Sequence, residues 1–176
     1  MNARVVQNFI LFQIGWFACV AGAAHDLAGP GTCVALVVVL LHIARAMQPL
    51  QELKLVLIAV LRGLVWDSAL VMTGWVKFTT GNFMANVAPH WILALWALFA
   101  TTLNVSLAWL RGRWLLLIFF GAIGGPLSYW GGARMGAMVI ASPVNITIAL
   151  AIGWALIMVL LMLAAKRFNG YVALSG

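Results

Sequence analysis

The stretch LKLVLIAVLRGLVWDSALVMTGWV, Leu53 to Val76, decides how the whole chain is read. It is long enough to cross a bilayer as a helix, which needs roughly 20 mostly apolar residues. Yet Arg62 and Asp67 lie well inside the apolar run. A charge at the bilayer centre costs roughly 2.5–3.5 kcal/mol on insertion scales, so an intramembrane charge is by default a functional-site hypothesis. On a helix, Arg62, Trp66, Ala69 and Thr73 fall on one stripe, and Gly63, Asp67, Leu70 and Gly74 on the next. The two charges are about 140° apart around the axis, so each is expected to look to another helix rather than to its neighbour. Arg62 can stack on Trp66 or snorkel inward.

The same logic extends outward. The 176 residues are 65% hydrophobic and 7% charged, with mean hydropathy +1.10. A soluble domain is nearer half apolar and a quarter charged, so this composition belongs in lipid. Six segments have the length and character of spans: Val5–Ala24, Leu27–Met47, Leu53–Val76, Trp91–Leu110, Trp114–Trp130 and Val144–Ala165. The expected fold is an all-α bundle of six transmembrane helices, one integral membrane domain over 1–176. The first segment reads as a retained anchor.

Basic residues orient the bundle. Arg4, Arg45, Lys54, Arg111, Arg113, Lys166 and Arg167 collect on one side, against Lys77 and Arg134 on the other. The positive-inside rule then puts both termini in the cytoplasm. The net charge of +7 reads as topogenic charge and contact with anionic headgroups, not as a nucleic-acid surface. Membrane lipids are the expected partners. Cys19 and Cys33 lack metal-ligand spacing and read more readily as two thiols than as a disulfide.

A polar cleft is expected around the third and fifth helices, with Asp67, Arg62, Trp66, His25, Asp26, Ser128, Tyr129, Arg134 and Asn104 as its candidate residues. The outer-half groups that could meet Asp67 are His25, Asp26, His90, Ser128, Tyr129 and Arg134. Gly124-Gly125-Pro126 is expected to break the fifth helix and turn its freed backbone groups toward a cavity. The connection Lys77–His90 is expected to be interfacial or re-entrant. NFILFQIGWFA from Asn8 and HWILALWALFA from His90 align in part, as a duplicated three-helix unit would. No nucleotide loop, HExxH or nucleophile elbow is present, and His25, His42 and His90 are dispersed. No particular metal or cofactor is therefore indicated.

Four spaced elements carry a resemblance: Asn8 with Trp16; Gly63, Asp67-Ser68 and Gly74; Pro89-His90-Trp91 with Trp96 and Phe99; and Gly125-Pro126-Leu127-Ser128-Tyr129. Together they resemble an uncharacterised family of small bacterial inner-membrane proteins. Its genes are often found near cyclopropane-fatty-acyl synthase and a flavin oxidoreductase. The resemblance implies a bacterial inner membrane, a role near lipid acyl chains, and lipid-modifying enzymes as candidate partners. It carries no assigned catalytic residues.

Three functional readings remain open on the sequence. The first is a protein that handles an apolar or amphipathic molecule in a polar intramembrane cleft. The second is a small transporter with Asp67 as a proton or cation site. The third is a scaffold subunit whose polar groups only fasten helices together.

Overall fold

A computed structural model describes residues 3–171. Six helices form the bundle: α1 (Ala3–Ala24), α2 (Ala28–Ala44), α3 (Pro49–Met72), α4 (His90–Leu103), α5 (Trp114–Met135) and α6 (Pro143–Arg167). Two three-residue strands join them, β1 (Val76–Phe78) between α3 and α4 and β2 (Met138–Ile140) between α5 and α6. Large aliphatic and aromatic side chains cover the outside, among them Leu40, Leu61, Val65, Leu115, Leu127 and Ile152. The carboxylates of Glu52 and Asp67 are both 0% exposed. A surface of hydrocarbon around buried acids suits a lipid solvent and would aggregate in water. Four helices, α1, α3, α5 and α6, are long and apolar enough to cross a membrane. The chain is a multi-pass membrane protein.

Hydrogen bonds define the two ends of the bundle. At one, Asn8 Nδ2 donates to the Thr101 carbonyl (3.1 Å) and the Gln48 amide to the Gly170 carbonyl (3.0 Å). At the other, Thr80 Oγ1 donates to the Ala23 carbonyl (2.9 Å) and the Thr79 amide to the Ala137 carbonyl (3.2 Å). All six helices run between these ends in alternating directions. The basic residues gather at the first, hereafter the basic end.

Pro starts two helices, Pro49 for α3 and Pro143 for α6, where a missing N–H costs nothing. Gly136, at φ 93°, ends α5 with the left-handed cap that glycine favours. Gly31 brings α1 and α2 together, since a Cβ there would strike the Ala18 carbonyl.

Three expected boundaries move. The third helix begins four residues earlier, at Pro49, and stops at Met72. Gly74 then takes φ 72° and the chain turns into β1, so Trp75 and Val76 are not helical. The fourth helix ends at Leu103 rather than Leu110. Its last turn gives way at Asn104, and a single 3₁₀ turn follows at Ala108–Leu110. The freed backbone is answered inside the protein: the Leu107 amide donates to Thr102 O (2.8 Å) and the Ser106 amide to Asn8 Oδ1 (3.3 Å).

The fifth helix is not broken. It runs through Gly124-Gly125-Pro126 to Met135, with Pro126 inside it. Proline's φ is helical, and its ring removes only the bond to the Ala122 carbonyl. Packing of α5 along α6 holds the helix straight enough to continue. Gly125 lets the Trp154 ring of α6 lie on its Cα.

The strands pair antiparallel, with Val76 opposite Ile140, Lys77 opposite Val139 and Phe78 opposite Met138. This ribbon closes the end opposite the basic residues. It answers backbone groups that the two connections would otherwise leave bare. α4 is the pillar of the bundle. Trp91, Trp96, Leu98, Ala100, Thr101 and Leu103 are all buried, packed among α1, α2, α3 and α6. A helix shielded in this way needs no lipid-matching length of its own.

Candidate functional site

Asp67 projects from α3 into the bundle and meets α4 and α5. Trp96 Nε1 donates to Asp67 Oδ2 at 2.6 Å. Tyr129 Oη donates to Asp67 Oδ1 in a short hydrogen bond. Glycines make the room. A Cβ at Gly63 would overlap the Trp96 indole, and one at Gly153 would overlap the Trp66 indole. Trp96 stacks on Trp154 of α6, centroids 4.8 Å apart and planes 11° apart, and Phe99 meets Trp154 edge-on at 5.4 Å. The indole N–H groups of Trp66 and Trp154 are buried without a hydrogen-bond partner of good geometry. Both approach the Tyr129 hydroxyl.

Only part of the expected cleft assembles here. Asp67, Trp66 and Tyr129 come together. Ser128 is one step away, where its Oγ accepts from Trp16 Nε1 of α1 at 3.1 Å. Arg62 does not join them: it is exposed on the outer face of α3, because five residues of helix rotate it away from Asp67. Its guanidinium lies over no aromatic ring among the described residues. Arg134 is exposed at the end of α5, and His25 and Asp26 are exposed in the α1–α2 turn, where Asp26 adopts φ 59°. His90 is drawn to α2 instead, its Nδ1 2.8 Å from Thr32 Oγ1.

Asn104 belongs to a second polar cluster at the basic end. Glu52 is its centre, 15 residues before Asp67 on α3, or about 22 Å of helix rise. His42 Nε2 donates to Glu52 Oε2 at 2.8 Å. Asn104 Nδ2 donates to Oε1 at 2.7 Å, and the Gly170 amide to the same oxygen at 2.8 Å. Asn104 also donates to the Phe168 carbonyl (3.0 Å) and accepts from Arg111 Nη2 (2.8 Å). Tyr171 Oη donates to the His42 carbonyl at 2.7 Å and lies 3.1 Å from His42 Nδ1. Burial, then the charge of Glu52, push the Tyr171 phenol up from 10.0 to about 12, against the pull of Arg4 and Arg45.

The sequence reading assigned Glu52 no role, because it stands at the edge of a span beside a turn. A signal was available. Pro49 at the first helical position puts Glu52 in the opening turn of α3, a register that carries the side chain inward with Leu55 and Val56.

Three cavities adjoin these clusters. A cleft of about 400 Å3 opens at the basic end against His42 and Tyr171. A groove of about 440 Å3 runs between α1 and α5, walled by Phe9, Phe12, Trp109, Phe120 and Leu127, with Gly124 on its rim. A pocket of about 70 Å3 lies beside it, lined in part by Trp96 and Tyr129. Groove and pocket share Phe12, Trp16, Phe99, Ser128 and Trp154. Asp67 lines none of the three. Its carboxylate holds the Trp96 and Tyr129 side chains that form the pocket's end wall.

Cys19 and Cys33 are both free thiols, Cys19 buried against the Gly31 carbonyl and Cys33 exposed. Among the described residues, no three His, Cys, Asp or Glu side chains gather as a group able to hold a metal.

A family model described as a protein of unknown function, DUF2878, matches residues 5–160. No curated protein and no solved structure matches. The match spans every helix of the bundle and both Asp67 and Glu52, and on it the chain belongs to the DUF2878 family.

Proposed function

We propose that all six helices cross a bacterial inner membrane with both termini in the cytoplasm, and that the α1–α5 groove holds an acyl chain of a membrane amphiphile. The short helices α2 and α4 support this topology, because they run between the same two ends as the long ones. The concentration of Lys and Arg at one end supports the orientation.

The observation that carries the reading is the apolar groove itself, walled by aromatic and aliphatic side chains of α1 and α5. Behind it, sharing five wall residues, lies a small aromatic pocket lined by Trp96, Trp154 and Tyr129. A bilayer supplies one abundant occupant of that shape, a hydrocarbon chain. Aromatic walls give it a large, rigid contact surface. The resemblance to proteins encoded beside acyl-chain enzymes points the same way, and links the protein to membrane-lipid modification.

The test is photo-crosslinking with a phospholipid carrying a diazirine on its acyl chain. Label is expected on α1 between residues 9 and 16 and on α5 between 120 and 128. Gly124→Trp should remove most of it, since nothing lies within 4 Å of a Cβ built there to oppose a filling side chain. Uniform labelling of all outer faces, unchanged by Gly124→Trp, overturns the reading.

A scaffold role is the second reading, and one observation favours it. Both oxygens of Asp67 and both of Glu52 already accept hydrogen bonds from other parts of the chain. Under that reading, Asp67→Asn lowers stability or partner recovery and changes no lipid product.

A further inference from the structure

The α1–α5 groove is not apolar along its whole length. Gln13 of α1 and Ser128 of α5 border it, one on each wall. Gln13 is half-buried, and its side-chain amide makes no hydrogen bond among the described residues. Ser128 Oγ accepts from Trp16 Nε1 at 3.1 Å, but its own proton has no acceptor among the described residues. The other polar neighbours differ. Thr102 Oγ1 donates to the Phe99 carbonyl at 2.7 Å, and Ser106 Oγ is buried at the basic end.

Depth gives these two groups their meaning. Gln13 stands about 15 Å of helix rise from the start of α1, and Ser128 about 21 Å from the start of α5. Both helices start at the basic end, and the hydrocarbon core of a bilayer is about 30 Å thick. The pair therefore lies near mid-membrane, too deep for a side chain to snorkel to the headgroups. An amide left alone in hydrocarbon is costly, and a glutamine in a spanning helix ordinarily clasps another helix. No helix of this chain takes Gln13. A plain saturated chain in the groove has no polar atom to offer it either. A hydroxyl on that chain would answer both walls, donating to Gln13 Oε1 and accepting from Ser128 Oγ. The apolar walls to either side, Phe9 and Phe120 below and Leu127 above, would still hold the methylenes.

We propose that the groove selects an acyl chain bearing a hydroxyl near its middle, held between Gln13 and Ser128. The proposal rests on the acyl-groove reading and names the class of chain that groove takes.

The experiment repeats the crosslinking with the diazirine phospholipid on the full chain in an uncharged sugar detergent. Three competitors are compared: octadecanoate, 3-hydroxyoctadecanoate and 12-hydroxyoctadecanoate. Label is read on α5 between residues 120 and 128. The 3-hydroxy acid carries the same group near its head and so controls for added polarity. The 12-hydroxy acid should displace the label at a concentration at least about fivefold lower than either of the others, the gain from about one net hydrogen bond. Gln13→Leu should bring it within about twofold of octadecanoate and leave octadecanoate itself unchanged. Ser128→Ala should weaken the same preference, and serves alone if Gln13→Leu does not fold.

Equal displacement by all three acids overturns the proposal and leaves the acyl groove standing. Absence of label from α5 in the parent chain removes the acyl groove, and this proposal with it. A preference that survives both substitutions overturns the assignment to these residues. Sedimentation in the same detergent tests the rival occupant, a second copy of the chain. An oligomer that Gln13→Leu dissociates shows that α1 clasps its own kind, and also overturns the proposal.

Discussion

Replacing Glu52 separates hydrogen-bond geometry from charge at the basic end. Glu52 is 0% exposed and accepts from His42 Nε2, Asn104 Nδ2 and the Gly170 amide. Glu52→Leu keeps most of the volume and removes every acceptor. Asn104 still has the Phe168 carbonyl, but the Gly170 amide and His42 Nε2 lose their partner. Each buried donor left unpaired costs about 1–3 kcal/mol, so the two together cost about 2–6 kcal/mol.

Glu52→Gln is a different perturbation. Its Oε1 can keep Asn104 and Gly170, and its Nε2 can donate to His42 Nε2 if the histidine carries its proton on Nδ1. Tyr171 Oη then accepts from Nδ1–H while donating to the His42 carbonyl. Every group is satisfied, and only charge assistance is lost, about 1–2 kcal/mol. A chain of this length melts about 2–4 °C lower per kcal/mol. The expected drops are therefore about 4–24 °C for Leu and about 2–8 °C for Gln, read by tryptophan fluorescence in detergent. Adding His42→Leu to Glu52→Leu should recover part of the loss. If Gln is as harmful as Leu, the charge on Glu52 and not its acceptor geometry holds the cluster, and the reasoning fails. If neither matters, the cluster holds nothing.

Three further outcomes are expected. Asp67→Asn can accept from Trp96 through Oδ1, but its amide faces the Tyr129 oxygen and leaves that hydroxyl proton without an acceptor, so it should lose about 1–3 kcal/mol, whereas Asp67→Leu orphans both donors and should lose about 2–6 kcal/mol; a proton-coupled flux that disappears in the folded Asn variant would establish the transport reading instead. Gly63→Ala puts a methyl into the Trp96 indole and should cost about 1–3 kcal/mol, while Gly124→Ala, with nothing within 4 Å, should be neutral in the same melt. The neutral Tyr171 phenol is favoured in the native state, with its ionisation raised from 10.0 to about 12. Its contribution is complete below pH 10, where the unfolded phenol is also neutral, and is lost as pH rises from 10 toward 12. A melt series across that window should show the loss, and Tyr171→Phe should not.

Membrane residence and the helical character of the bundle were readable from residue order alone, because hydropathy accumulates locally along the chain. Asp67 was readable as a buried acid for the same reason: hydrocarbon does not accept a bare carboxylate, so something must shelter it. Its partners were half readable. Tyr129 was among the expected neighbours, but Trp96, the second donor, was not, being one of nine tryptophans with nothing local to single it out. Helix rotation decided Arg62, which has the same local credentials as Asp67 and yet faces outward.

Tertiary structure alone revealed what answers Glu52. The residues that answer it stand 10, 52 and 118 positions away, on α2, after α4 and after α6. Pairing over such separations depends on where six helices lie relative to one another, and no window of sequence contains that. Hydropathy is a sum over neighbours in the chain, so it dictated which segments enter lipid. The shelter of each buried acid is a contact between strangers in the chain, so only packing determined that the polar interior is two clusters about 22 Å apart rather than one cleft.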